Sequence, residues 1–242
     1  MKKFKKRYKL LGAALVALFL LSLPELFHKN KGTTKSIGSV RDGKLENAYL
    51  VPYSGKNWSY FSPFSYYILD NAYTHHQVHD AIIDAYHICE ETCPNTKFKL
   101  METSHEDGGR MHFHRTHQNG MSADFMVPKM NGKGIQTRWL DHIGLSHYLL
   151  AFDDNGVSTL SENTQIDFET MGRHILALDK AAKKNGLRIR KIILKIALKD
   201  DLYATESGKE IKKRGIYIVQ GLSHIVDILH DDHYHIDFMV KG

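Results

Sequence analysis

The sequence has few of the residues that build repetitive or cross-linked proteins. It contains only 5 prolines and 2 cysteines in 242 residues, and it shows no internal repeat. Collagen-like, mucin-like and solenoid architectures are therefore excluded, and two cysteines are too few for a cysteine-based metal site. Hydrophobic residues make up 42% of the chain and charged residues 25%. This composition predicts a folded core, in one domain or one domain with a small appendage.

An excess of positive charge is missing from most of the chain. Residues 1–29 hold seven of the 33 basic residues and one of the 27 acidic ones, so the remaining chain carries 26 of each sign. A nucleic-acid-binding domain needs a positively charged surface to neutralise phosphates. The charge balance therefore predicts no nucleic-acid partner, and it confines the net charge of +6 to the N-terminal segment.

The N-terminal segment has the pattern of an export signal. A basic stretch over residues 1–9 precedes an apolar run over residues 10–21. That run has the length of a signal-peptide core and is short of the roughly 20 apolar residues of a membrane-spanning helix. No small-residue cleavage site follows it, which favours retention. Residues 1–29 are thus expected to be a signal sequence or a membrane anchor, with residues 10–27 as the tether if the segment is retained.

Export places the rest of the chain in the periplasm or on the outer face of the cytoplasmic membrane. Residues 30–46 are polar and are expected to form a linker, which leaves residues 47–242 as the folded domain. Cys89 and Cys93 would meet an oxidising compartment. Their spacing of four residues leaves two alternatives open, a disulfide near the end of a helix or two buried thiols.

Hydrophobic periodicity predicts a mixed structure. Helices are expected over residues 75–90 and from Asp167 as N-cap to Gly186 as stop. Strands are expected at residues 97–101, 123–127, 188–198 and 235–240, and residues 131–165 are expected to be rich in loops. Because helices and strands do not alternate regularly, the fold class is expected to be α+β, with a small, mainly antiparallel sheet and flanking helices.

Two histidine clusters predict a metal site. With sixteen histidines in the chain, spacing is more informative than any single residue. His117 stands seven residues before Asp124, and His233 and His235 would lie on one face of a strand. Two imidazoles and a carboxylate suit catalytic zinc, which keeps one position for water and lowers the pKa of that water. Non-haem iron uses similar ligands, and scattered surface or core histidines are the alternative to any metal site.

The same residues resemble a known family, the penicillin-insensitive murein endopeptidases. The wider group of zinc metallopeptidases includes lysostaphin, D-Ala-D-Ala carboxypeptidases and hedgehog. Its signature, His-x6-Asp followed later by His-x-His, is similar to residues 117–124 and 233–235 here. The Gly-Gly-Arg-Met run at 108–111, the Thr-His-Gln-x-Gly run at 116–120, the stretch 71–78 and a further histidine at position 230 resemble the murein endopeptidase branch. The resemblance covers about residues 48–240.

The resemblance implies a hedgehog/D-Ala-D-Ala-peptidase-like fold and a set of roles. His117, Asp124 and His235 would bind zinc, and His233 would be the catalytic base. His230 would stand at the edge of the site and assist the substrate or the transition state.

Other polar residues near these motifs have open roles. Arg110 would stabilise an oxyanion or pair with a substrate carboxylate, unless it forms a structural salt bridge. Asp237 shares the face of His235 and would either orient it or be solvated. The remaining polar residues are expected at the surface or in turns: His112, His114, Asp231 and Asp232. Residues 135–164 match nothing in the family pattern, which leaves the choice of substrate open.

These features predict a zinc-dependent peptidase that hydrolyses amide bonds in peptidoglycan stem peptides or cross-links. Two alternatives stay open. One is a D,D-carboxypeptidase of the same fold. That group usually has a Glu-x-x-His element at the position where this chain has His-x-His, which counts against this alternative. The other is a zinc-stabilised cell-wall binding module without turnover.

Overall fold

The computed structural model describes residues 2–112 and 114–241. The outer ends of the expected leader and domain, Met1 and Gly242, lie outside this range. Within it, no helix is both long and apolar enough to cross a membrane. The helix that covers the expected leader begins in the basic stretch.

The helices and strands follow one another without a regular βαβ order. In chain order the helices are α1 (Lys2–Leu21), α2 (Leu23–Phe27), α3 (Pro63–Tyr67), α4 (His76–Thr92), α5 (Phe168–Lys184), α6 (Lys199–Ala204), α7 (Glu206–Lys213) and α8 (His224–Ile228). The strands are β1 (Lys35–Ser39), β2 (Asp42–Glu46), β3 (Tyr49–Leu50), β4 (Trp58–Tyr60), β5 (Tyr73–Thr74), β6 (Phe98–Leu100), β7 (Ser122–Met126), β8 (Lys129–Asn131), β9 (Gln136–Thr137), β10 (Val157–Ser158), β11 (Ser161–Ile166), β12 (Leu187–Ile193) and β13 (His233–Val240). Short 3₁₀ turns cover Gly144–Leu149 and Ile196–Leu198.

A five-stranded sheet forms the centre, in the order β12-β13-β7-β6-β4. Its pairs are antiparallel except for β4 and β6, which run parallel. Smaller antiparallel sheets, of two or four strands, lie around it. The α+β class with small sheets and flanking helices is therefore confirmed.

The two faces of the central sheet have opposite characters. Side chains alternate along β13, so Tyr234 and His235 point to opposite faces. Tyr234 stacks on Phe125 of β7 and lies beside His174 of α5. The apolar stripes of α4 and α5 cover this face and form the core with it. The other face carries His233 and His235, together with the acidic side chains of Asp124 and Asp237.

Most of the predicted elements agree with the structure. The helix expected over residues 75–90 is α4, and the one expected after Asp167 is α5, whose first turn is capped by the Asp167 side chain accepting from the Thr170 amide. The four expected strands correspond to β6, β7, β12 and β13, except that β12 ends at Ile193. Cys89 and Cys93 are buried free thiols at the end of α4.

Two segments differ from expectation. The polar linker expected at residues 30–46 contains the hairpin β1–β2, which docks because Val40 and Leu45 are buried. The Gln118 amide donates to the Val40 carbonyl oxygen at 3.1 Å, so the hairpin supports the loop that carries His117. Residues 131–165, expected to be rich in loops, supply strands of a four-stranded sheet and one 3₁₀ turn.

Candidate metal centre

The site begins with one cross-strand pair. Asp124 on β7 and His235 on β13 lie directly opposite each other in the antiparallel register. Directly opposed residues point to the same face, and the His235 Nδ1 atom lies 2.8 Å from Asp124 Oδ1. Both side chains are almost fully buried. Strand pairing alone therefore brings two residues 111 positions apart into contact.

His117 reaches the same point from the loop before β7. Its Nε2 atom lies 3.2 Å from Asp124 Oδ2 and 3.1 Å from His235 Nδ1. Its backbone has φ of 72°, in the left-handed region that costs a residue with a side chain on the order of 1 kcal/mol or more. Such strain persists only when surrounding contacts hold it. The three side chains expected to bind metal are thus brought together.

His114, expected at the surface, lies instead beside this group. Its Nδ1 atom is 3.6 Å from Asp124 Oδ2, and its Nε2 atom contacts the Glu102 carboxylate. The ligand atoms of His114, His117 and Asp124 all lie within 4.8 Å of one another, so these residues can hold a metal ion. The surface prediction for His114 is wrong. Glu102, which follows the end of β6, pairs with its ring.

The donor set fits a divalent metal. It combines imidazole nitrogens with one carboxylate, the ligands that zinc and related metals use in catalytic sites. The Nδ1 atom of His117 is buried without a hydrogen-bond partner among the described residues. The other ring nitrogen, Nε2, faces Asp124 and His235. The backbone of His117, rather than a hydrogen bond to Nδ1, therefore orients the ring toward the site. Burial opposes the charge on Asp124, but His117 and His235 hold the pKa of its carboxyl well below the usual range.

Asp237 orients His235. Its Oδ1 atom accepts from His235 Nε2 at 2.7 Å, and its side chain is fully buried. Ser122 Oγ donates to the same oxygen at 2.6 Å, and Lys191 Nζ lies 3.2 Å from the other oxygen. With Nε2 directed at Asp237, Nδ1 faces Asp124, on the side where a metal ion would lie. Of the two roles considered for Asp237, the structure favours orientation.

His233 is held in the same way by its neighbour. Its Nδ1 atom lies 2.5 Å from Asp232 Oδ1, and both residues are buried. Burial lowers the pKa of His233, but the Asp232 carboxylate outweighs it and raises that pKa. Asp232 was expected to be only a turn residue. The structure shows that it also contacts the ring of His233. Asp231 accepts from the Phe152 amide at 3.0 Å, and burial raises its pKa to about 6.

His230 lies next to His233 and His235. Its ring centroid is 4.7 Å from that of His233 and 6.3 Å from that of His235. Its Nδ1 atom donates to the Val226 carbonyl oxygen at 2.6 Å. Burial, together with the two neighbouring imidazoles, lowers the pKa of His230 to about 3, so the ring is neutral.

Arg110 does not join the cluster. It is exposed and forms no hydrogen bond or ion pair with residues of the described ranges 2–112 and 114–241. His112 is exposed as expected.

Three further residues at the site were not predicted from the sequence. Glu102 follows β6, and its position one residue past the expected strand is the one signal that could have indicated it. His147 and Tyr148 come from the 3₁₀ turn, in a segment without a recognisable pattern. His147 Nε2 lies 3.4 Å from the Asp232 carbonyl oxygen, and Tyr148 reaches both Glu102 and His233.

Comparison with protein-family models gives no match for this chain. Comparison with curated proteins gives none either.

Proposed function

We propose that this protein is a zinc-dependent peptidase that hydrolyses amide bonds in peptidoglycan stem peptides or cross-links. The observation that carries the proposal is the meeting of His117, Asp124 and His235 beside an oriented imidazole, His233. The resemblance of the motifs to murein endopeptidases supports the substrate class, and it suggests the hedgehog-like peptidase fold as the finer description of this α+β domain.

The residues divide into holding and reacting groups. His117, Asp124 and His235 would hold the ion, with His114 within reach of the same point. A bound zinc ion would polarise the scissile carbonyl and make water more acidic. Asp232 accepts the Nδ1 proton of His233, which leaves Nε2 with a lone pair to take a proton from water. The same nitrogen can return that proton to the leaving amine.

Neutral His230 would stay next to this base without adding a second positive charge. Its Nδ1 proton is committed to the Val226 carbonyl, so Nε2 is its free hydrogen-bonding atom. This geometry suits a contact with the substrate at the edge of the site.

Export belongs to the same proposal, because peptidoglycan lies outside the cytoplasmic membrane. It is supported by the basic and apolar residues of the leader. Fractionation of cells that produce the full chain tests it. A protein confined to the cytosolic fraction would contradict export and, with it, access to the substrate.

The test of activity uses the full chain with one equivalent of zinc and cross-linked muropeptide dimers. We expect monomers to be released, and a chelator to abolish their release. The variant His233→Ala should keep the metal and lose turnover, whereas His87→Ala, at an exposed position of α4, should keep both. Release of terminal D-alanine alone would favour the carboxypeptidase alternative. Metal binding without any cleavage would favour the binding module.

A further inference from the structure

Residues 138–150 form a strap that reaches the candidate site at its C-terminal end and is fixed by two buried anchors. The first is an ion pair between Asp141 and Lys129 Nζ, whose side chains are 7% and 1% exposed. The second is His147, which is fully buried against Asp232. Because breaking a buried ion pair is costly, this strap keeps a fixed position relative to the site.

The strap brings Tyr148 between two site histidines. The Tyr148 ring packs edge-to-face on His233, with centroids 5.5 Å apart, and on His114, with centroids 6.3 Å apart. Its hydroxyl donates to Glu102 Oε2 at 3.2 Å. Tyr148 remains half-buried rather than fully enclosed. Its ring therefore forms a wall of the site that a substrate can touch.

The Glu102 carboxylate has other hydrogen-bond donors besides the hydroxyl of Tyr148. The same carboxylate accepts from Ser65 Oγ at 2.6 Å and from Asn71 Nδ2 at 2.7 Å, and it also contacts His114. The bond from Tyr148 is longer than these two, and longer hydrogen bonds are weaker. Burial, followed by the charge of Glu102, raises the pKa of Tyr148 well above its ordinary value, so the hydroxyl keeps its proton.

We propose that Tyr148 is a catalytic residue whose hydroxyl donates a hydrogen bond to the carbonyl oxygen of the scissile amide. As the tetrahedral species forms, negative charge builds on that oxygen, and a fixed donor stabilises it. The proton stays on the tyrosine throughout. This inference rests on the proposed peptidase activity. It gives Tyr148 the role considered for Arg110, which is exposed and unpaired within the described residues.

The first test is Tyr148→Phe in the zinc-loaded full chain, which keeps the ring and removes only the hydroxyl. We expect kcat on muropeptide dimers to fall by about 100-fold, the typical loss for one such donor. We also expect KM, zinc content and melting temperature to stay at wild-type values. Tyr217→Phe, at a 51% exposed tyrosine, is the matched control and should retain full activity.

The second test measures binding without turnover. A phosphinate analogue of the stem-peptide bond imitates the tetrahedral species, so its dissociation constant should rise by a similar factor in Tyr148→Phe, while the zinc affinity stays unchanged. Wild-type kcat and phosphinate affinity in this variant would overturn the inference and leave the peptidase proposal intact. A loss of zinc or of melting temperature in parallel with kcat would assign Tyr148 a packing role instead. A wild-type chain that cleaves nothing would overturn both proposals.

Discussion

Replacing Asp237 by asparagine tests whether a buried carboxylate sets the ligand nitrogen of His235. Asparagine has nearly the same shape, so packing is kept, but the negative charge is lost. Two donors and one ammonium group surround the carboxylate: His235 Nε2 and Ser122 Oγ at 2.7 and 2.6 Å from Oδ1, and Lys191 Nζ at 3.2 Å from Oδ2. The amide of asparagine offers one oxygen to these donors and places an NH₂ group against the rest. His235 should then lose part of its orientation and basicity.

Loss of such an outer partner typically weakens metal binding by about 10- to 100-fold, which corresponds to about 1.4–2.7 kcal/mol. The measurement is a zinc titration of the metal-free protein in competition with a chelating indicator. Far-UV circular dichroism of the metal-free variant checks that the fold is retained. We expect weaker zinc binding with an unchanged stoichiometry of one ion per chain.

The chain offers a matched control on α4. Asp80 Oδ1 lies 2.8 Å from His79 Nδ1, nearly the same contact, in an exposed pair far along the sequence from the site. The variant Asp80→Asn should bind zinc as the wild type does. Equal zinc affinity in Asp237→Asn and Asp80→Asn would refute the reasoning, because the buried carboxylate would then have no influence on the ligand.

Three further predictions concern stability. Lys129→Met leaves Asp141 buried without its partner and should lower the free energy of unfolding in urea by about 3–5 kcal/mol. Gly108→Ala should destabilise more than Gly109→Ala, because both glycines have positive φ but only the first would place a Cβ 2.4 Å from a backbone carbonyl oxygen; overpacking typically costs about 1–3 kcal/mol. Burial lowers the pKa of His174 from 6.5 to about 3, so the unfolded chain binds one more proton between these values, and stability is lost as the pH falls through this range. His174→Phe should reduce that slope by up to about 1.4 kcal/mol per pH unit.

Each of these predictions has an outcome that would contradict it. Lys35→Met removes one partner of an exposed ion pair with Glu46 and should change the free energy of unfolding by no more than about 1 kcal/mol. Equal effects of Lys129→Met and Lys35→Met would contradict the importance of burial. For the glycine pair, equal losses would show that backbone strain alone decides the cost. For His174, an unchanged pH slope would mean that the ring is not kept neutral by the core.

The sequence was informative where local patterns determine structure. The apolar stripes of α4 and α5 and the alternation along β13 follow from side-chain periodicity, which is a local property. The alternation also placed His233 and His235 on one face. Because β7 was predicted as a strand, the meeting of Asp124 with His235 needed only the correct register. Spacing and motif could therefore indicate three residues of the site.

The sequence was uninformative where long-range contacts determine structure. The β1–β2 hairpin has a polar composition typical of a linker, and only docking through Val40 and Leu45 makes it part of the domain. His114 was expected at the surface because nothing local reveals the carboxylate of Glu102, which comes from another strand end. Residues 138–150 lack any period, so their anchors are visible only in three dimensions. Each case requires a contact partner that is distant in sequence.

The imidazole rings of the site are oriented in two different ways. His235, His233 and His114 each have one ring nitrogen engaged by a buried carboxylate, from Asp237, Asp232 and Glu102 in that order. Each such contact fixes the orientation of the ring and so directs the opposite nitrogen. His117 has no such partner, and its Nδ1 atom is buried without a hydrogen bond in the described part of the chain. Its direction comes from a strained backbone and from the β1–β2 hairpin, whose Val40 carbonyl holds the next residue in the chain. The hairpin, which was expected to be a linker, therefore supports the candidate metal centre together with the strands that carry Asp124 and His235.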